Sequence, residues 1–365
     1  MEIVDSLVEE GLIREGGTGV STGGRRPVLL EMVQHAHRAV GLEVGAKTLT
    51  AVVVDLAAQI KLRLQAPSRM SEGPEAVEEE VRNILRRVLE EISKEAEATA
   101  DVLGIGLALP GPLLASDEKA VFSPPSYPGW GEIALGEFVF EEFGLPVLVD
   151  NDGNAAALGE HLFGAGRGVD DMVHVVVHRG VGGALIMGGE LYRGSNGVAG
   201  EIGHSIVDAD GPRCGCGRHG CLEAFVGRTA ITRRARNALK LAGVGGINDK
   251  SAEEIRAQDV IEAGLAGDEL AISVLAETGQ YLGLGISTAV NMCDPELVVV
   301  GGSTMRAGDL VLGPAIEVVR KRALPGIAEK VEVVAGQLGD DAGAIGAASL
   351  VLRELFAQGS QPMSG

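Results

Sequence analysis

Residues 40–66 read VGLEVGAKTLTAVVVDLAAQIKLRLQA, and this stretch decides the fold. Apolar residues fill 40–44, a glycine turn follows at Gly45, a second apolar run covers 49–55, and alternation returns near 60–66. Three short strands joined by tight turns are the expectation. Residues 170–194, DDMVHVVVHRGVGGALIMGGELYRG, repeat the layout. A strand at 172–177 leads to a glycine turn at 180–183, a strand at 184–187 and a return at Glu190–Tyr192. One half of the chain reads as a distant copy of the other, which predicts two similar lobes facing a cleft.

Outward from these openings the pattern is α/β. Residues 76–94 place Val77, Val81, Ile84, Leu85, Val88 and Ile92 on one helical face. Val102–Leu109 is the near-continuous apolar run of a strand buried on both faces, and it stops at Pro110-Gly111-Pro112. Leu145–Val149 is a second such strand and runs into DNDGNAAALGE. Leu297–Val300 leads to Gly301-Gly302, followed by a helix near 309–322, a strand at 331–335 and a last helix over about 341–356. Residues 241–268 read as a helical insertion on the second lobe.

Composition narrows the function. The chain of 365 residues is long enough for two lobes, with 45% hydrophobic and 22% charged residues. A net charge of −20 repels a phosphate backbone from most of the surface, and 3% aromatics leave little for base stacking. No apolar run reaches the ~18 residues that span a bilayer. The first residues, MEIVDSLVEEGLIREGG, are charged throughout and lack a signal peptide's pattern. A cytoplasmic protein without membrane association is expected, and there disulfides are disfavoured.

Three of the four cysteines nevertheless lie within GPRCGCGRHGCLEAF, residues 211–225. Cys214, Cys216 and Cys221 form C-x-C-x4-C, which suits a structural Zn2+ completed by a fourth ligand. His219 sits inside the cluster, where Cys221 is too near for an unstrained loop. His204 comes from a separate segment and could close a loop. Three thiolates and an imidazole fill the coordination, so such an ion stiffens a ligand pocket rather than activating water. Cys293 reads as a small core residue.

The segments VDNDGNAAALGE, LYRGSNGVAGEIGH and CGCGRHGCLEAF, with LALPGP, NMCDPELVVVGG and LGDDAGAIGAA, resemble the ROK family of bacterial sugar kinases and sugar-responsive repressors from about residue 38 onward. The resemblance implies a two-lobed actin-like, hexokinase-like (ribonuclease H-like) fold with a sugar in the central cleft. Its domains would be 33–152 with 342–365, and 153–341 with a zinc loop over 204–221. It implies zinc on His204, Cys214, Cys216 and Cys221, and sugar on Asn151, Asp152, Glu201, His204 and Glu223. Asp152 would be the general base of a kinase, drawing the proton from the attacking hydroxyl. Carboxylates and an amide are suited to sugar hydroxyls in any case. Asp152 also fits an Asx turn or helix N-cap.

The kinase pattern breaks at both phosphate loops. In place of D-x-G-x-T-K stands Glu43-Val44-Gly45-Ala46-Lys47-Thr48. In place of G-T-G-x-G stands His178-Arg179-Gly180-Val181-Gly182. Bulky side chains obstruct backbone N–H groups that would cradle phosphate, which argues against well-placed ATP and Mg2+. Residues 1–32 resemble the end of a winged helix-turn-helix, with Leu7–Gly11 closing the recognition helix, Gly16–Gly24 forming the wing, and Arg25 and Arg26 meeting DNA. Too few residues precede Gly11 for the first helices, so specific DNA binding is expected only through a complete upstream module. The expectation is the sugar-binding body of a ROK-type regulator, as a homodimer or homotetramer. The alternative is an ATP-dependent hexose or N-acylhexosamine kinase.

Overall fold

The computed structural model describes residues 2–9, 11–18, 28–94, 101–111, 113–116, 119–122, 130, 133–242, 247 and 250–358. The chain divides into two compact units, Met1–Ala155 with Gly343–Gly365, and Ala156–Ala342.

The first unit begins with helix α1, Glu2–Glu9. Gly11, at φ 71°, ends it: the N–H groups of Gly11 and Leu12 donate to the carbonyls of Val8 and Leu7 at 3.0 and 2.9 Å. Only a residue without a Cβ takes this left-handed position cheaply. Strands β1 (Ile13–Thr18) and β2 (Val28–Met32) follow as an antiparallel hairpin, with β2 exposed along its length.

The body is a five-stranded sheet of β3 (His37–Val44), β4 (Thr48–Asp55), β5 (Ile60–Pro67), β6 (Asp101–Leu109) and, beyond the small hairpin of β7 (Leu113–Ser116) and β8 (Lys119–Phe122), β9 (Val147–Asn151). Its order is β5-β4-β3-β6-β9, antiparallel through the first three and parallel through the rest. Helix α2 (Pro74–Lys94) buries Val77, Val81, Ile84, Leu85, Val88 and Ile92, the face read from periodicity. It shares a core with Val40, Leu42 and Val44 of β3 and with helix α3 (Leu135–Phe143). The opposite face of β3 and β6 carries Gly41 and Gly106, paired in register. A Cβ on either would lie 1.9 or 1.8 Å from the carbonyl oxygen of Ala344 or Ala347 in the last helix, so these glycines let that helix lie directly on the sheet.

Helix α4 (Asp152–Phe163) carries the chain into the second unit. There β10 (Met172–Val177), β11 (Val181–Met187), β12 (Glu190–Tyr192), β13 (Leu297–Gly301) and β14 (Glu332–Ala335) form a sheet in the order β12-β11-β10-β13-β14. Order and sense repeat the first sheet strand for strand. The expected glycine turn at 180–183 is shorter, because β11 already begins at Val181. Gly183 is needed for close approach instead: a Cβ there would meet the carbonyl oxygen of Gly200 at 2.6 Å.

Between β12 and β13 run α5 (Glu223–Val226), α6 (Arg228–Ala242), α7 (Ala257–Leu265) and α8 (Glu269–Cys293). Ile247, Ile255, Val260 and Ile261, from the 241–268 segment, join Val298 and Val300 of β13 in one core, so this segment is part of the unit's interior. Helices α9 (Asp309–Arg322) and α10 (Pro325–Ala328) precede β14, and α11 (Ala342–Gln358) returns to the first unit. Among the described residues no helix is long and apolar enough to cross a membrane.

Candidate metal centre and ligand-binding residues

In the second unit, two glycines shape the 206–221 loop. Gly217 (φ 91°) and Gly220 (φ 75°) turn the chain, and isolated bridges pair Ile206 with Cys221 and Arg213 with His219. The result gathers His204, Cys214, Cys216 and Cys221, whose ligand atoms all lie within 4.8 Å of one another. His204 Nδ1 is 3.8 Å from Cys214 Sγ, and Cys216 Sγ is 3.7 Å from Cys221 Sγ. A tetrahedral ion with bonds of about 2.0–2.3 Å requires donor–donor edges of roughly 3.5–3.8 Å, so the cluster could hold a metal ion. His219 takes no part: its Nδ1 is engaged with the carbonyl oxygen of Gly211 at 3.2 Å. Burial pushes the Cys214 and Cys221 thiols up, whereas the backbone N–H of Arg218 draws Cys216 down.

The ring of His204 divides its two nitrogens. Nδ1 faces the cysteines, and Nε2 faces Glu201 Oε2 at 4.0 Å. A ligating imidazole oriented by a nearby carboxylate is a common arrangement around metals. Glu223, at the start of α5, is half-buried and connects two loops. Its Oε1 accepts from the Cys214 thiol at 3.2 Å, and its Oε2 accepts the Val181 N–H at 3.2 Å.

That second contact bears on the 178–182 segment, the expected degenerate phosphate loop. Gly180 fits because any Cβ would come within 2.5 Å of Glu223 Oε2. His178 Nδ1 accepts the Ser303 N–H at 2.9 Å, so this nitrogen carries a lone pair rather than a proton. Desolvation lowers the His178 pKa despite the nearby Asp340 carboxylate. Val181 and Ser303 already spend their N–H groups on the chain's own side chains.

In the first unit, Asn151 ends β9 and caps α4. Its Oδ1 accepts the N–H groups of Gly153 and Asn154 at 2.8 and 3.2 Å, and its Nδ2 donates to the Gly111 carbonyl at 2.9 Å. The cap is thus Asn151, whereas the sequence reading assigned that possibility to Asp152. Asp152 opens the helix with Oδ1 accepting the adjacent Gly153 N–H at 2.9 Å. Behind them Asp150 is buried and accepts from Asn154 Nδ2 at 2.8 Å. DNDGN spaces both polar groups on one side of the helix start, a four-residue signal for this pair.

The other loop, Glu43–Thr48, is a hairpin turn in which Gly45 donates to the Thr48 carbonyl at 3.0 Å. Lys47 is exposed at its tip, and the Glu43 carboxylate lies across Gly343, where a Cβ would meet its Cδ at 2.6 Å. The longer acid therefore packs on the first turn of α11. Arg25 and Arg26 lie outside the described residues.

The xylose repressor of Bacillus spizizenii is 30% identical over 353 residues, covering 97% of this chain and 87% of the repressor. A glucokinase of Halalkalibacterium halodurans is 34% identical over 319 residues, covering 86% of this chain and 95% of the kinase. A crystal structure of a ROK family transcriptional regulator, a homolog of the E. coli MLC protein, superposes with a TM-score of 0.81 at 26% identity. It covers 97% of this chain and 88% of the regulator. The model of the ROK family matches residues 39–354, which takes in both repeated sheets and the His/Cys cluster, and the chain belongs to the ROK family.

Proposed function

We infer that this protein is the effector-binding body of a sugar-responsive transcriptional regulator. The observation that carries the reading is the extent of similarity. Repressor relatives match 97% of the chain, while the glucokinase matches 86%. The 178–181 turn supports the same side, since the Val181 N–H is occupied by Glu223 and the neighbouring Ser303 N–H by His178.

In this reading Asn151, Asp152, Glu201, His204 and Glu223 bind the sugar, with Nε2 of His204 turned to it and Nδ1 turned to the metal. The metal is a structural Zn2+ held by His204, Cys214, Cys216 and Cys221; it stiffens the loop carrying Glu223. DNA is reached through the α1–β1–β2 segment as part of a complete winged helix. The protein acts in the cytoplasm as a homodimer or homotetramer. The kinase alternative draws on the glucokinase relative and on Asp152, and needs ATP and Mg2+.

One plate decides between them: thermal shift and ADP release, with ATP and Mg2+, across D-xylose, D-glucose and N-acetylglucosamine. A sensor shows a rise in Tm with one sugar and no ADP; at a hundred-fold excess over Kd the gain is about 2.7 kcal/mol. Sugar-dependent ADP release that disappears in Asp152→Asn would establish the kinase instead.

A further inference from the structure

Glu160 lies in α4 and takes no part in the metal cluster or the candidate sugar set. It is 1% exposed, and a buried carboxylate persists only where hydrogen bonds replace its water. Three backbone N–H groups do this. Ala165 and Gln337 donate to Oε2 at 2.9 and 3.1 Å, and Leu338 donates to Oε1 at 2.8 Å. Two glycines shape the cradle: a Cβ on Gly164 would lie 2.0 Å from Oε2, and one on Gly336 would lie 2.6 Å from Oε1.

The place of this cradle along the chain gives it meaning. The backbone leaves the first unit after Ala155, inside α4, and re-enters it after Ala342. Glu160 stands just past the first crossing, and Gln337 and Leu338 stand just before the second. One carboxylate joins them across 177 and 178 residues of sequence. On the first-unit side α4 meets the helix that follows the second crossing, where Ala155 of α4 and Ala347 of α11 bury against Ala108 of β6.

We propose that Glu160 is a positioning residue that locks the two chain crossings together, so that α4 and the start of α11 respond as one element. A consequence, which rests on the sugar-site reading, is that a change at Asp152 in the first turn of α4 reaches the 337–341 loop through a helix pinned at its far end. The lock itself does not depend on any sugar.

Hydrogen exchange on the full chain without sugar tests it. Glu160→Gln keeps the volume but turns an amide NH2 toward N–H donors. The amides of residues 165, 337 and 338 should exchange at least about ten-fold faster, and the segments 152–158 and 342–348 should accelerate with them. Acceleration confined to 165, 337 and 338 would overturn the lock and leave a local brace. Gly336→Ala attacks the same cradle from the other side and should reproduce the joint pattern, also if the first variant fails to fold. Unchanged exchange at 152–158 in that variant would refute the proposal.

Discussion

Asn151 is an expected sugar ligand whose side chain already has structural work, and Asn151→Ala measures that work. The substitution removes the acceptor for the Gly153 and Asn154 N–H groups and the donor to the Gly111 carbonyl. Loss of a helix N-cap costs about 1 kcal/mol. Loss of the part-buried amide–carbonyl bond costs about 1 kcal/mol more. The sum of about 2 kcal/mol corresponds to a Tm lower by roughly 4–8 °C for a unit of this size. Asn151→Asp separates the contributions, since an aspartate keeps the cap and suits the positive end of α4, but cannot donate to Gly111. It should recover about half of the loss. Differential scanning calorimetry of the three proteins is the assay, with sugar titration beside it. If Asn151→Ala melts within about 1 °C of the parent, or Asn151→Asp melts as low as Asn151→Ala, the cap does not carry the energy assigned here. If both variants lose sugar affinity whatever their Tm, the remaining amide N–H of Asn151 belongs to the ligand site.

Two further outcomes concern the second unit. Cys216→Ser should reduce bound zinc from about one ion per chain and lower Tm by several degrees, with elemental analysis as the readout; unchanged metal content would remove Cys216 from the centre. His178 has a folded pKa below its ordinary value of 6.5, so the unfolded chain takes the proton first as pH falls. Its contribution is fully present above about pH 6.5 and is lost as pH falls from there toward the folded pKa. His178→Gln should flatten this part of the stability–pH curve, and a Tm difference between the two proteins that stays constant from pH 7.5 to 5 would contradict the desolvation argument.

Much of the architecture is legible in local pattern. The two strand–turn–strand openings, the apolar face of α2 and the C-x-C-x4-C cluster are short-range features, and periodicity or spacing exposes them directly. The family resemblance points to His204 as the fourth ligand, and the structure shows that the loop brings it to the three thiols while His219 turns to Gly211. Elsewhere local pattern misplaces a glycine turn and, by one residue, a cap. Gly183 looks like a turn residue but serves the approach of the Gly200 backbone. In DNDGN, either Asn151 or Asp152 can cap a helix, and strand β9 running through Asn151 decides which one does.

The duplicated α/β pattern and the C-x-C-x4-C cluster are legible in the sequence because each is written within a few dozen consecutive residues. The partners of His178 and Glu160 depend on the three-dimensional packing. His178 meets Ser303 across 125 residues, and Glu160 meets Leu338 across 178. Such pairings carry no local signature, since a histidine or glutamate acquires its partner only when packing brings a distant backbone N–H to it and withdraws the competing water.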